Sequence, residues 1–494
     1  MNLQLVIPEI SLAAFAIAIV LLDLFIRRKG ILVVVSIVGL LVSAGSTIVM
    51  WGGSSQAIFN NMMAVDNFAL FFKLLFLGIA ALVILSSVDY VSKFARFQGE
   101  YYALVLLATL GMMLMAATIE LISIYIALEL TSISLYVLVG FLRDAKSTEA
   151  SLKYLLLGAV ASAVLLYGMA LIFGFTGKTQ LGEIAQVIQA MSPQTLSASP
   201  ALILGIVLLV GGFGFKIAAV PFHMWVPDVY EGAPTPITAY LSVASKAAGF
   251  AIILRVFFSA FGLPEWLSLE WGLIFAVLSA IGMTAGNVIA IPQTNIKRML
   301  GYSSIAQAGY LMVGLATVGF SPASDIMGRS GVLFFLTAYA LTNLGAFIAI
   351  IIITTTTTTT TTNKLNSDLI DDFSGMGKRA PLLALALTLS LISLIGMPPA
   401  AGFMAKFYIF SGAVQHNLLW LVVIAVINSV ISAYYYLRVV KVMWLDEPAS
   451  AEKVPFSGVL RVALAISCFG ILLLGIIPGY VMRLVEVAAR MFTF

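Results

Sequence analysis

Long apolar runs recur along this chain, each close to the ~20 residues that cross a bilayer as a helix. Short polar interruptions separate them. Fourteen such runs are expected to span. The first is Leu3–Ile26, read as a retained span because no basic leader or cleavage pattern precedes it. The fourth, Tyr101–Thr118, and the fifth, Leu121–Leu142, are divided by little more than Ile119 and Glu120. The seventh covers Leu202–Val226, the eighth Pro236–Phe261 and the twelfth Leu382–Ser411. The last is Gly458–Tyr480. Gln180–Met191 is too short and mixed to span and reads as an interfacial or loop segment. Thr354–Thr362 is an uninterrupted threonine tract. It reads either as low complexity without function or as an extension of the eleventh helix, through hydroxyls bonded back to carbonyls.

Composition agrees with a polytopic, all-α membrane protein. Of 494 residues, 61% are hydrophobic and 10% are charged, against about 25% charged in soluble domains. The net charge of +4 is spread over loops and makes no basic stripe, which argues against nucleic acid. Lysine and arginine favour one side. With the amino terminus outside, seventeen fall in inner loops, among them Arg27, Lys93, Arg96, Lys146, Lys153, Lys364 and Lys453, and only four fall outside. Cytoplasmic loops hold such an excess, so both termini are expected outside.

Redox chemistry has no visible seat. The single cysteine, Cys468, cannot hold a metal cluster alone. Two histidines in distant segments, His223 and His416, argue against a bis-histidine haem. There is no dinucleotide fingerprint and no P-loop; Gly211-Gly212-Phe213-Gly214 lies inside a span and reads as helix packing.

Five basic residues remain within the spans: Lys73, Lys216, Lys246, Arg255 and Lys406. A cation at mid-membrane costs ~2.5–3.5 kcal/mol on insertion scales and marks proton or ion paths. Snorkelling to the interface suits Lys73, near the outer end of its span. It suits Lys216, Lys246 and Lys406 poorly. Two of these lie beside proline breaks: Lys216 precedes Pro221 and Pro227, and Lys406 follows Gly396-Met397-Pro398-Pro399. Broken helices beside a charge are a transporter pattern; the plainer alternative is a packing kink.

Glu129 is mid-span and is the natural partner of Lys216. A carboxylate beside a lysine favours both charged forms, so separating the two would loosen the lysine's hold on its proton. His223 follows Lys216 by two turns, interrupted by Pro221, and reads either as a proton relay or as a static hydrogen bond. Glu120 reads as solvated near the outer interface, and Asp23 as paired with Arg27.

Residues 214–250, GFKIAAVPFHMWVPDVYEGAPTPITAYLSVASKAAGF, strongly resemble the antiporter-like membrane subunits of respiratory complex I. PDVYEGAPTP and SVASKAAGF look like the subunit N type of bacterial NADH:quinone oxidoreductase and its mitochondrial and plastid relatives. LELTSISLYVLVGF at 128–141, SLKYLLLGAVASAVLLYG at 151–168, NIKRMLGYSSIAQAGYLMVG at 295–314 and GMPPAAGFMAKFYIF at 396–410 extend the resemblance over almost the whole chain. It implies two inverted five-helix repeats, at 101–262 and 263–445, between a three-helix segment at 1–100 and a final helix at 446–494. Carried over by motif, Glu129 matches the family's fifth-span glutamate, and Lys216, Lys246 and Lys406 match its seventh-, eighth- and twelfth-span lysines; we read a proton path along these four, with His223 and internal water assisting.

The resemblance further implies partner subunits that hold NADH, FMN, iron–sulfur clusters and quinone, with no cofactor in this chain. Sister antiporter-like subunits would flank it in a bacterial inner membrane. The rival readings are a subunit of a multi-subunit cation/proton antiporter and a structural scaffold with static ion pairs. The threonine tract departs from the family pattern.

Overall fold

A computed structural model describes residues 3–91, 97–191, 199–321, 326–360, 368–448, 454 and 457–490. Lys93, Arg96, Lys364, Lys453, Thr361 and Thr362 lie outside the described residues. Helices dominate: α1 Ile7–Phe25, α2 Gly30–Met50, α3 Asn67–Val91, α4 Gln98–Ala117, α5 Leu121–Val139, α6 Ala145–Thr176, α7 Leu181–Gln189, α8 Pro200–Ile217 and α9 Val226–Gly232. Then come α10 Thr235–Phe261, α11 Glu265–Ala290, α12 Ile296–Phe320, α13 Met327–Thr360, α14 Pro381–Ile395, α15 Ala401–Gln415, α16 Leu419–Leu445, α17 Gly458–Ile476 and α18 Gly479–Ala489.

Among the described residues, 13 helices are long and apolar enough to cross a membrane. The expected twelfth span supplies the remaining crossing in two pieces, α14 and α15. Helices α10, α12 and α13 are almost wholly buried and form the core, whereas α6 and α16 turn most of their apolar surface outward. Small residues allow close packing: a Cβ on Gly319 of α12 would stand 2.5 Å from the Cα of Gly272 of α11. The threonine run continues α13 in helical form to Thr360.

The narrow fourth–fifth junction is real. Helix α4 ends at Ala117 and α5 begins at Leu121. Glu120 is not solvated as expected: it is buried and caps α5, accepting from the Ser123 N–H and hydroxyl at 2.7 Å each. A helix's first N–H groups need such an acceptor. Gln180–Met191 contains the amphipathic helix α7. A small hairpin, β1 Gln56–Ile58 with β2 Met63–Val65, was not foreseen.

Two expected charge placements change, and Arg255 gains a partner. Asp23 pairs with Lys29, at 2.6 Å, rather than with Arg27. Lys73 does not snorkel; it is fully buried and pairs with Glu9 of α1 at 2.5 Å. Arg255 is fully buried against Asp66 at 2.5 and 2.9 Å, and also donates to the Ala116 carbonyl.

Candidate functional site

Both anticipated helix breaks are present, and each lies beside a buried lysine. Helix α8 stops at Ile217 because Ala218 turns into the left-handed region, at φ +62°. The Trp225 indole then donates to the freed Phe215 carbonyl at 3.0 Å and stacks on Tyr154. Lys216 occupies the last turn of α8, where the helix dipole presents partial negative charge. Its ammonium donates to the Ser132 hydroxyl of α5 at 3.0 Å.

The second break runs from Gly396 to Ala400. Here Lys406, one turn into α15, reaches back to the carbonyl end of α14. It donates to Ile395 O at 2.9 Å, Leu394 O at 3.3 Å and the Ser429 hydroxyl at 2.8 Å. Its ammonium also lies 4.1 Å from the centre of the Tyr310 ring. Gly396 has φ +91°, and a Cβ there would stand 2.9 Å from Lys406 Cδ. Only glycine both turns the chain and leaves the lysine its path. An apolar cavity of about 780 Å³ opens beside Lys406, walled by Met397, Phe403, Phe407 and Val430.

Lys246 lies between these two sites in the core helix α10. A π-helical turn, Leu241–Ser245, directly precedes it; such turns locally release the regular ladder. Its ammonium bonds the Ser304 carbonyl of α12.

The three lysines are only 3%, 1% and 5% exposed, and all their bonding partners are neutral. Among the described residues, no carboxylate lies within 4.0 Å of any of them. Lys73, Arg255 and Lys297, equally buried, each face a carboxylate.

Glu129 and Lys216 are not in contact. Glu129 instead accepts from the Ser162 hydroxyl of α6 at 2.5 Å and is partly exposed on the chain's flank. Ser132, which receives the Lys216 ammonium, lies one helical turn along α5 from Glu129. His223 sits half-buried in the first break, beside the Pro221 carbonyl.

Below the first break, α9 is strapped to its neighbours by charge. Asp228 meets Lys153 at 2.9 Å and Arg298 at 2.6 Å; Glu231 meets Lys146 at 3.1 Å and Arg298 at 3.2 Å. Burial works against both carboxylates, but hydrogen bonds from these cations outweigh it and hold both below the ordinary carboxylate range. Sequence reasoning missed Ser132, Ser162, Ser304 and Ser429 as partners, because serine within a span reads as a packing residue. Among the described residues, no group of three His, Cys, Asp or Glu could hold a metal ion.

Buried lysines with neutral partners, placed at breaks in a many-helix bundle, define an ion-translocating membrane subunit. The chain belongs to the NADH:quinone oxidoreductase/Mrp antiporter transmembrane family, whose sequence model matches residues 118–432. It is 52% identical to NADH-quinone oxidoreductase subunit N of Dehalococcoides mccartyi, with 99% of each chain covered. It is 44% identical to the subunit of the same name from Trichlorobacter lovleyi, with 99% of this chain and 97% of that one covered.

Solved structures agree. Respiratory complex I from Thermus thermophilus with bound aureothin contains a chain that matches with a TM-score of 0.78 at 33% identity, over 96% of this chain and 98% of that one. An archaeal membrane-bound sulfane sulfur reductase contains one that matches at 0.84 and 27% identity, over 99% and 96%.

Proposed function

We propose that this chain is a proton-translocating subunit of the membrane arm of a complex I-type NADH:quinone oxidoreductase. The observation that carries the reading is the contrast among buried cations. A cation held for structure alone is paired with a carboxylate, because an unpaired buried charge is strongly destabilising. Lys73 and Arg255 are so paired. Lys216, Lys246 and Lys406 rest on hydroxyls and carbonyls, which can accept from an amine as well as, more strongly, from an ammonium. Such a lysine can lose and regain its proton without leaving an orphaned carboxylate, which speaks against the static scaffold.

In this reading, protons pass along Glu129, Lys216, Lys246 and Lys406, with His223 assisting at the first break. The distance between Glu129 and Lys216 is the switch. The first repeat is 101–262 and the second 263–445, and each has its helix break in its fourth span. Residues 1–100 and 446–494 flank them. Electrons run in partner subunits that hold NADH, FMN, iron–sulfur clusters and quinone, while sister antiporter-like subunits adjoin this chain in the bacterial inner membrane. The 52% identity to a subunit N favours this assembly over a free-standing cation/proton antiporter.

Lys216→Ala in the assembled complex tests the reading. Quinone-linked proton pumping into membrane vesicles should fall by about 10²-fold or more, the range typical of removing a proton-transfer group, with assembly retained. Normal pumping together with normal electron transfer would exclude Lys216 from the path.

A further inference from the structure

Two consecutive residues of the core helix α13, Thr342 and Asn343, reach irregular backbone beside two different lysines. Asn343 donates to the Ser242 hydroxyl at 2.6 Å. Ser242 lies in the π-helical turn Leu241–Ser245 that directly precedes Lys246, and its own hydroxyl donates to the Ala239 carbonyl at 2.8 Å. Thr342 and Ser393 are joined through their hydroxyls at 2.9 Å. Ser393 sits in the last turn of α14 and also accepts the Gly402 N–H, from the first turn of α15, at 3.0 Å. It therefore clasps the two halves of the second break. Lys406 lies one turn after Gly402 and donates to the carbonyls of Leu394 and Ile395, the two residues that follow Ser393.

Thr342, Asn343, Ser242 and Ser393 are all buried, at 2% exposure or less. Packing does not ask for their polar atoms: valine and leucine would fill the places of Thr342 and Asn343 with nothing left to satisfy. Hydrogen bonds between spans are ordinary glue, but these two differ in where they land. Neither falls on a regular stretch of helix. One holds a π-turn, and the other holds a helix end together with its continuation. Gly345, three residues after Thr342 and on the same face of α13, keeps α14 close, since a Cβ there would stand 2.8 Å from Ser390 Oγ. Consecutive helical residues are only ~1.5 Å apart along the axis, so a shift or rotation of α13 moves both anchors together.

We infer that Thr342 and Asn343 are positioning residues that couple the π-turn before Lys246 to the helix break before Lys406. A π-turn and a broken helix are places where backbone hydrogen bonding has more than one arrangement. Rearrangement of either pulls on α13 and is felt at the other. The side chains of Thr342 and Asn343 bond serines rather than the lysines, so they carry no proton; they set how each lysine meets its carbonyl partners. Such coupling is reciprocal, because a change at one site alters the other by the same factor. The inference rests on the lysine path proposed above.

Ser242→Ala and Ser393→Ala, each in the assembled complex, remove one anchor apiece and leave every lysine in place. Each should lower proton pumping about threefold with assembly retained, the size of one hydrogen bond between spans. Losses at independent sites multiply, to about ninefold in the double variant. Coupled through α13 the anchors act as one unit, so the double variant should lose no more than either single one. Thr342→Ser keeps the hydroxyl and should pump normally, whereas Thr342→Val should match Ser393→Ala. Should Ser393→Ala fail to assemble, Thr342→Val takes its place, and Asn343→Leu likewise replaces Ser242→Ala. A multiplied loss in the double variant, or no loss in the single ones, overturns the coupling; the lysine path still stands if Lys406→Ala abolishes pumping. If Lys406→Ala pumps normally, the lysine path itself falls.

Discussion

Buried cations in this chain divide by what they touch, and the division has measurable consequences. Arg255 and Asp66 are both fully buried, in α10 and at the entry to α3, and the arginine also binds the Ala116 carbonyl at the end of α4. The pair therefore joins the amino-terminal helices to the helix that carries Lys246. Asp66→Asn strips the arginine of its counter-charge in a dry site. It should destabilise the protein by about 3–5 kcal/mol, whereas replacing both residues by leucine should cost less, because no unpaired charge remains. Thermal unfolding of the single and double variants in detergent checks the order. A double variant less stable than Asp66→Asn would show that the pair itself supplies net stability. No such loss should accompany Lys246→Leu, whose partner is a carbonyl.

At the scale of elements, the short helix α9 bridges the first break and the core, and charge holds it there. Asp228 and Glu231 are three residues apart and so share one face of α9. That face meets Lys146 and Lys153 of α6 and Arg298 of α12. Both carboxyls titrate below their unfolded range. A depressed carboxyl contributes stability that is present above the unfolded pKa and is lost as pH falls through the folded one. Partial solvent exposure limits each to about 1 kcal/mol or less. The stability gap between wild type and Asp228→Asn should therefore be constant above about pH 5 and close below about pH 4. Thermal melts of both proteins across that range decide it; a gap that widens on acidification would contradict the strap.

The spans and both breaks were legible in the sequence because each leaves a local mark: about twenty apolar residues for a crossing, proline or glycine beside a lysine for a break. Lys216, Lys246 and Lys406 stood out for the same reason, as charges within apolar runs. The partners did not. Asp66 and Arg255 are 189 residues apart, and nothing local joins them. Glu129 was the one mid-span carboxylate without a charged neighbour in sequence, so it invited pairing with Lys216; the fold interposes Ser132 and gives Glu129 to Ser162. Glu120 looked like a solvated charge because hydropathy does not register a helix cap. Serine and tyrosine in spans carry no signal that separates packing from hydrogen bonding.

For the whole molecule, the direction of proton movement depends on which end of the bundle faces inward, and α6 offers a ruler. Its 32 residues rise about 48 Å, more than the ~30 Å of hydrocarbon. Lys146 and Lys153 lie at its start, in the charged strap with Arg298. Gly177, in the left-handed conformation, ends it, and Lys178 pairs with Glu183 just beyond. The strap end also carries Lys297 with Asp368, whereas the other end carries few basic residues. Positive charge is retained in the cytoplasm, so the strap end should face inward and Lys178 outward. With Cys468 replaced by serine, Lys178→Cys should react with an impermeant maleimide in intact cells, and Lys146→Cys only in inverted vesicles. Labelling of both from one side would deny that α6 spans the membrane, and the reverse pattern would invert the chain. In the expected orientation the strap lies on the cytoplasmic side of Lys216 and the Arg255–Asp66 clamp on the outer side of Lys246. The three lysines without a carboxylate partner then lie between two layers of fixed ion pairs, the strap on the cytoplasmic side and the Arg255–Asp66 clamp on the outer side.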